Sequence, residues 1–245
     1  MAEVVVPLSR ADEAVFRPVR SGNAFEEAVE RLLQSIKLGV VLPGDRLPPE
    51  RDLAARLNVS RVTLREAIRA LQQAGYVESR RGRYGGTFIN ATLPTPSRKG
   101  LRRLAREMGP ALDDALTFRD VLETGAAAAA AARELTEAEH QYLRGRLAET
   151  AAADLASYRR TDSRLHLAIA ELAGSASLTS AVADARMRIN ELLDAIPLLE
   201  RNIEHSNEQH AAVVDAILDG DPVAARETMA EHLDGTAALL RGFLT

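Results

Sequence analysis

The stretch NVSRVTLREAIRALQQAG, residues 58–75, followed by YVESRRGRYGGTFIN, residues 76–90, decides the fold of the first part of this chain. Ser60 can cap a helix by accepting from a first-turn N–H. Arg61 to Ala74 then reads as that helix, with Val62, Leu64, Ile68 and Leu71 as its apolar face and Gly75 as its end. Past Gly75 the period falls to two. Tyr76-Val77-Glu78 and Thr87-Phe88-Ile89 read as short strands, with Gly82, Gly85 and Gly86 in the turn between them. Upstream, Asn58-Val59 makes a turn after a helix from Glu50 to Leu57, whose start is set by Pro48-Pro49. One more amphipathic helix, 25–38, repeats Phe25, Val29, Leu32, Leu33 and Ile36 at three- and four-residue steps. Three helices and a two-stranded wing in this order predict a winged helix-turn-helix.

Charge agrees with that assignment. The chain of 245 residues has a net charge of −4, but residues 1–100 hold 16 Lys and Arg against 11 Asp and Glu, and residues 101–245 hold 15 against 24. Within 51–100 the ratio is 10 to 3, so the cationic surface lies where a polyanion would bind. Arg61, Thr63 and Arg65 open the predicted recognition helix, the end that enters a major groove, and arginine there can hold guanine O6 and N7. Ser60 and Thr63 hydroxyls suit phosphate oxygens, as does Arg51 at the start of the preceding helix. In the wing, Arg80, Arg81 and Arg83 surround Gly82, and Gly85-Gly86 permits close approach of backbone to a duplex. The competing reading makes the arginines a solvated helix face and the glycines ordinary hairpin glycines.

Four segments are expected: an arm at 1–23, the DNA-binding domain at 24–90, a linker at 91–110 marked by Pro94 and Pro96, and a helical domain at 111–245. The last is read as an all-α antiparallel bundle of six or seven helices near 112–134, 137–153, 155–173, 178–193, 203–218 and 222–243, with a short basic helix at 102–108. The fold class is therefore mainly α. The alanine run Ala126 to Ala132 implies a tightly packed central helix. No cysteine is present, which excludes disulfides, thiolate zinc sites and a Cys nucleophile. Nothing resembles a signal peptide or a membrane span, so a cytoplasmic protein is expected.

Three of the five histidines fall where helix geometry brings them together. Asp162 and His166 are four residues apart on one helical face. His210 and His232 each stand 11 residues from Asp221 in the Gly220-Asp221-Pro222 turn, so an antiparallel hairpin sets both about 16 Å from the turn, at one level. One carboxylate and three imidazoles suit a divalent ion, Zn²⁺ first, with Ni²⁺ or Mn²⁺ as alternatives. The competing reading is a set of satisfied core histidines. His140 and His205 lack such partners and are read as surface residues.

Two motifs then carry a family resemblance. Leu42-Pro43-Gly44-Asp45-Arg46-Leu47-Pro48-Pro49-Glu50-Arg51-Asp52-Leu53-Ala54, with Val59 to Ala67 and the wing Gly82 to Phe88, resembles the GntR family of bacterial regulators. The Asp162, His166, His210 and His232 pattern resembles the FCD-type ligand-sensing domain of the FadR subfamily, departing from it at Leu165 and Gly174-Ser175. The resemblance implies a homodimer whose Arg51, Arg61 and Arg65 contact a palindromic operator in double-stranded DNA. It further implies a small carboxylate or sugar-acid effector beside the metal. Arg119 and Glu123 match a frequent pair for it, although a plain i, i+4 salt bridge is an equal reading, and Arg186 and Asn190 are further candidates. The expected function is a ligand-responsive transcription regulator, a repressor by family habit, and not an enzyme. The alternative from another class is a metal-dependent hydrolase using the same Asp and His side chains.

Overall fold

The computed structural model describes residues 24–82, 85–94, 98–194 and 200–244, which form two compact units divided between Thr95 and Pro96. The expected arm, 1–23, and Arg83 lie outside the described residues.

In the first unit, α1 (Ala24–Lys37), α2 (Glu50–Leu57) and α3 (Arg61–Gln73) precede the antiparallel strands β1 (Val77–Arg80) and β2 (Gly86–Ile89), paired from Val77 with Ile89 to Arg80 with Gly86. Leu32, Ile36, Leu53, Leu57, Leu64, Ile68, Leu71, Val77 and Ile89 form one core. The turn between α2 and α3 depends on Asn58, which adopts a left-handed φ of 53° and returns its N–H to carbonyls of α2. Ser60 then caps α3, its hydroxyl accepting from the Thr63 N–H at 3.0 Å. The expected apolar face of α3 is corrected at one residue. Leu64, Ala67, Ile68 and Leu71 face the core, whereas Val62 is 64% exposed, because two residues of helix rotate it about 200° away from Leu64.

Gly85 answers to the hairpin. A Cβ there would stand 2.4 Å from the Arg80 carbonyl oxygen and 2.8 Å from that of Gly82, so no other residue fits. The tight turn alone accounts for this glycine, without a neighbouring duplex.

The second unit is all helical: α4 (Arg98–Ala131), α5 (Glu137–Ala151), α6 (Tyr158–Leu172), α7 (Ala176–Leu193), α8 (Glu200–Leu218) and α9 (Pro222–Leu244). The separate basic helix expected at 102–108 is instead part of α4, which begins at Arg98, inside the stretch read as linker, and runs through Gly109-Pro110. An internal proline removes one hydrogen bond, and the helix-forming residues on both sides carry α4 past it. Helix α4 is central, packing against α6, α7, α8 and α9. Its buried Ala126, Ala127, Ala130 and Ala131 allow close approach. Thr136 and Glu139 form a reciprocal capping box at the start of α5. At the α8–α9 turn, Gly220 takes φ 70° and the Asp221 carboxylate accepts from the N–H groups of Val223 and Ala224, both at 3.0 Å.

Among the described residues, two apolar clusters lie on either side of α4's buried polar pair. One holds Leu143, Leu165, Val213, Ile217, Met229 and Leu233; the other holds Leu112, Leu116, Ile189, Leu192 and Leu240. On α4, Arg119 and Glu123 fall between Leu116 and Ala127, so a buried polar layer separates the clusters. Among the described residues, no helix is long and apolar enough to cross a membrane.

Candidate metal centre and nucleic-acid interface

The polar layer brings together the residues singled out by spacing. Ligand atoms of Asp162, His166, His210 and His232 all lie within 4.8 Å of one another. The Nε2 of His210 stands 3.3 Å from that of His166 and 3.2 Å from that of His232. Asp162 Oδ1 lies 3.2 Å from His210 Nε2 and 3.7 Å from His166 Nε2. Two nitrogens bound to zinc at about 2.1 Å across a tetrahedral angle stand about 3.4 Å apart, so the spacing fits a shared ion.

Hydrogen bonds behind the rings strengthen that fit. His166 donates Nδ1–H to the Glu123 carboxylate, and the Nδ1 of His232 lies 3.4 Å from the amide oxygen of Gln209. Both contacts leave the Nε2 lone pair pointing into the cluster, the arrangement in which an outer carboxylate or amide orients a metal-binding imidazole. Two converging lone pairs in a dry interior repel each other unless a cation lies between them. His210 Nδ1 is buried with no hydrogen-bond partner among the described residues, so the tautomer of that ring is set by whatever occupies its Nε2.

The charges are arranged to keep the donors ready. Burial lowers the His166 pKa to about 4, helped by Arg186 and opposed by Glu123; burial also holds His232 well below the usual histidine value, with His210 and His166 adding to the effect. Burial works against ionisation of Asp162 and Glu123, yet both stay well below the usual carboxylate range. For Asp162, Arg186, His210 and His166 together outweigh burial, and for Glu123, His166, Arg119 and Arg186 do so. At neutral pH the cluster therefore offers His166 and His232 as neutral imidazoles and Asp162 as an ionised carboxylate, the protonation states that coordinate metal.

Arg119 and Arg186 neutralise the two carboxylates. Arg119 Nε donates to Glu123 at 2.8 Å, and Arg186 donates to both Glu123, at 3.3 Å, and Asp162. Arg119 Nη1 and Arg186 Nε are buried with no partner among the described residues. Asn190 donates to the Ser163 hydroxyl at 2.8 Å, one step back from the cluster. The expected pairing of Arg119 with Glu123 is thus present as an i, i+4 bridge, and the same carboxylate also orients His166. Three neighbours escaped the sequence reading. They are Gln209, Ser163 and Tyr158, whose hydroxyl pKa is pushed up by burial and by Asp162. Tyr158 precedes Asp162 by one helical turn, a spacing that could have drawn attention to it. His205 is exposed beside Glu208, and His140 is half-buried outside the cluster.

In the first unit, Arg51, Ala54, Asn58, Val59, Ser60 and Arg61 line an open concavity of about 530 Å³. It gathers Arg51, Arg61 and the N-terminus of α3, three sources of positive potential, around one notch. Ser60 and Thr63 share a hydroxyl contact of 2.8 Å. Arg65 donates Nε to Glu50 at 2.7 Å and its side chain stays exposed. Arg81 is exposed, and Arg80 packs over Phe88 with its Cζ 4.3 Å from the ring centre.

Comparison with known proteins agrees over both units. Residues 24–89 match the bacterial regulatory proteins of the gntR family, and residues 114–235 match the FCD domain. RmpR of Mycobacterium gastri, an HTH-type transcriptional regulator by its name, is 31% identical over 228 residues, 89% of this chain and 81% of its own length. Rv0494 of Mycobacterium tuberculosis, likewise named an HTH-type transcriptional regulator, is 30% identical over 253 residues, 96% of each chain. The Exu regulon transcriptional regulator of Escherichia coli K12 is 26% identical over 88% of this chain and 84% of its own. Among solved structures, E. coli McbR/YncC shares the fold at TM-score 0.54 and 19% identity, covering 91% of this chain and 100% of that one. Nothing in these relatives supports the hydrolase alternative. The chain is a transcription regulator of the GntR family, in its FadR subfamily, with a winged helix-turn-helix followed by an FCD domain.

Proposed function

We propose that this regulator is a homodimeric repressor whose operator affinity is set by a small anionic ligand bound beside a divalent metal. The observation that carries the sensing half is the convergence of Asp162, His166, His210 and His232, with two rings oriented from behind. Those four side chains would hold Zn²⁺, or Ni²⁺ or Mn²⁺ in its place, and the ion would supply a Lewis-acidic position for a carboxylate oxygen. Arg119 Nη1, buried and without a partner among the described residues, supports a carboxylate or sugar acid as the ligand class. Arg186 and Glu123 fix the electrostatics of that pocket, and Asn190 borders it.

On the DNA side, Arg61 and Arg65 would read base edges, while Arg51, Ser60 and Thr63 hold phosphates. Arg81, Arg83 and the Gly85 turn would place the wing. A palindromic operator and a two-fold dimer then go together, in the cytoplasm where chromosomal DNA lies. Effector-linked changes of about 5- to 150-fold in operator affinity need a coupling of about 1–3 kcal/mol.

The test is fluorescence anisotropy of the full chain on sites it selects from random duplex DNA, with and without Zn²⁺ and a panel of carboxylates. Salt-sensitive binding that weakens in Arg61→Ala and Arg65→Ala, and that a carboxylate relieves only in the metal-loaded protein, is the expected result. Binding indifferent to both substitutions refutes the DNA reading. An effector response that persists in chelator refutes the sensing one.

A further inference from the structure

We propose that Val62 is a specificity-determining residue that reads the 5-methyl group of a thymine in the major groove; this rests on the DNA reading of α3. The valine is out of place by the ordinary rules of helix surfaces. A β-branched side chain loses rotamer freedom on a helix, and left in water it gains no packing in return. Yet Val62 is 64% exposed and lies outside the core cluster that holds Leu64, Ala67, Ile68 and Leu71 of the same helix.

Its neighbours define what it faces. Successive residues of a helix are 100° apart, so Val62 shares its side of α3 with Arg65, Glu66 and Arg69 and adjoins Arg61, all of them exposed. Thr63 is turned back to Ser60 by their hydroxyl contact, and Arg65 is directed by Glu50. The outward face of the first turn therefore presents Arg61, Val62 and Arg65, two hydrogen-bond donors with an apolar branched side chain between them. Facing that turn, a G·C pair offers guanine O6 and N7 to an arginine, and the one apolar group an unmodified base pair presents in the major groove is the thymine methyl. The geometry thus assigns a T·A pair next to the G·C pair held by arginine, with the valine γ-methyls against the thymine C5-methyl.

The experiment uses the full chain. Sites are selected from random duplex DNA, and each thymine of the selected site is then replaced singly by deoxyuridine, which removes the methyl and leaves the pairing intact. One thymine per half-site should stand out, its replacement weakening wild-type binding about three- to five-fold, the worth of one buried methyl group. Val62→Ala should bind the thymine and deoxyuridine sites within about two-fold of each other while keeping the guanine preference that Arg61→Ala loses. Because Val62 is exposed, an unchanged melting curve for Val62→Ala separates recognition from folding. The proposal is overturned if no deoxyuridine replacement affects the wild type, or if Val62→Ala keeps the discrimination. Selection of no salt-sensitive site at all would refute the DNA reading itself, which distinguishes the two failures.

Discussion

Glu123→Gln tests the polar layer most severely. In the native chain this carboxylate accepts from Arg119 Nε at 2.8 Å, from Arg186 Nη1 at 3.3 Å and from His166 Nδ1, and the side chains of Arg119, Arg186 and Glu123 are 3%, 1% and 2% exposed. Glutamine keeps the shape but removes the charge. Among the described residues Arg186 is then left with Asp162 and Arg119 loses the carboxylate it donates to, and one half of the new amide carries N–H groups facing those guanidiniums. Removing one partner of a buried ion pair costs about 3–5 kcal/mol. In a chain of this size each kcal/mol moves the midpoint by about 2–4 °C, so a loss on the order of 10 °C is expected in the metal-free protein. The substitution also frees the His166 ring to rotate or change tautomer, which should weaken metal binding about 10- to 100-fold. Differential scanning calorimetry in chelator reads the first effect, and competition for Zn²⁺ against a chromophoric chelator reads the second. Should Glu123→Gln melt within about 2 °C of wild type and hold zinc equally well, the account of the layer as a charge-balanced, metal-orienting unit is wrong.

Three further outcomes follow from other features. His210→Ala removes the ring that touches both other imidazoles, and elemental analysis should find metal lost from it but retained by His205→Ala, whose ring is exposed; equal metal content would contradict the cluster. Gly85→Ala forces a methyl to 2.4 Å from the Arg80 carbonyl oxygen, which should cost about 1–3 kcal/mol and raise hydrogen exchange at 86–89 without altering that of α6. A wing as protected as in wild type would contradict it. Thr136→Ala should cost about 1 kcal/mol at neutral pH through loss of the capping box. The Thr136 backbone N–H, more than its hydroxyl, holds the Glu139 pKa below its ordinary value. That contribution is complete above the unfolded carboxylate range and is lost as pH falls through the lower folded value. Thr136→Ala keeps that backbone donor, so the pH dependence is read from Glu139→Gln: urea melts should show its penalty shrinking below about pH 4, and a penalty constant from pH 7 to pH 3 would contradict the reciprocal bond.

Much of this was readable in the chain because the signals were local. Ser60 caps α3 where a hydroxyl precedes a helical run, Pro49 leads into α2, and the equal count of residues on either side of Asp221 set His210 level with His232. What escaped reading was either long-range or a matter of angle. Glu123 meets His166 across 43 residues and Arg186 across 63, and no local pattern announces either pairing. Val62 was assigned to the core by its chemistry, although its angular position places it opposite Leu64. The Gly109-Pro110 pair reads as a break, yet α4 passes through it because a proline removes only one hydrogen bond of a long helix.

The donors of the polar layer lie on α6, α8 and α9, with 44 residues separating His166 from His210 and 22 separating His210 from His232. Joined through one ion, these positions would close two chain loops, as disulfides do in proteins that contain them. This chain has no cysteine. Its cross-link would instead be made and unmade by metal supply and proton activity, independent of the thiol redox balance, so that starvation for a cation, or a chelating metabolite, would loosen the three helices that carry the donors.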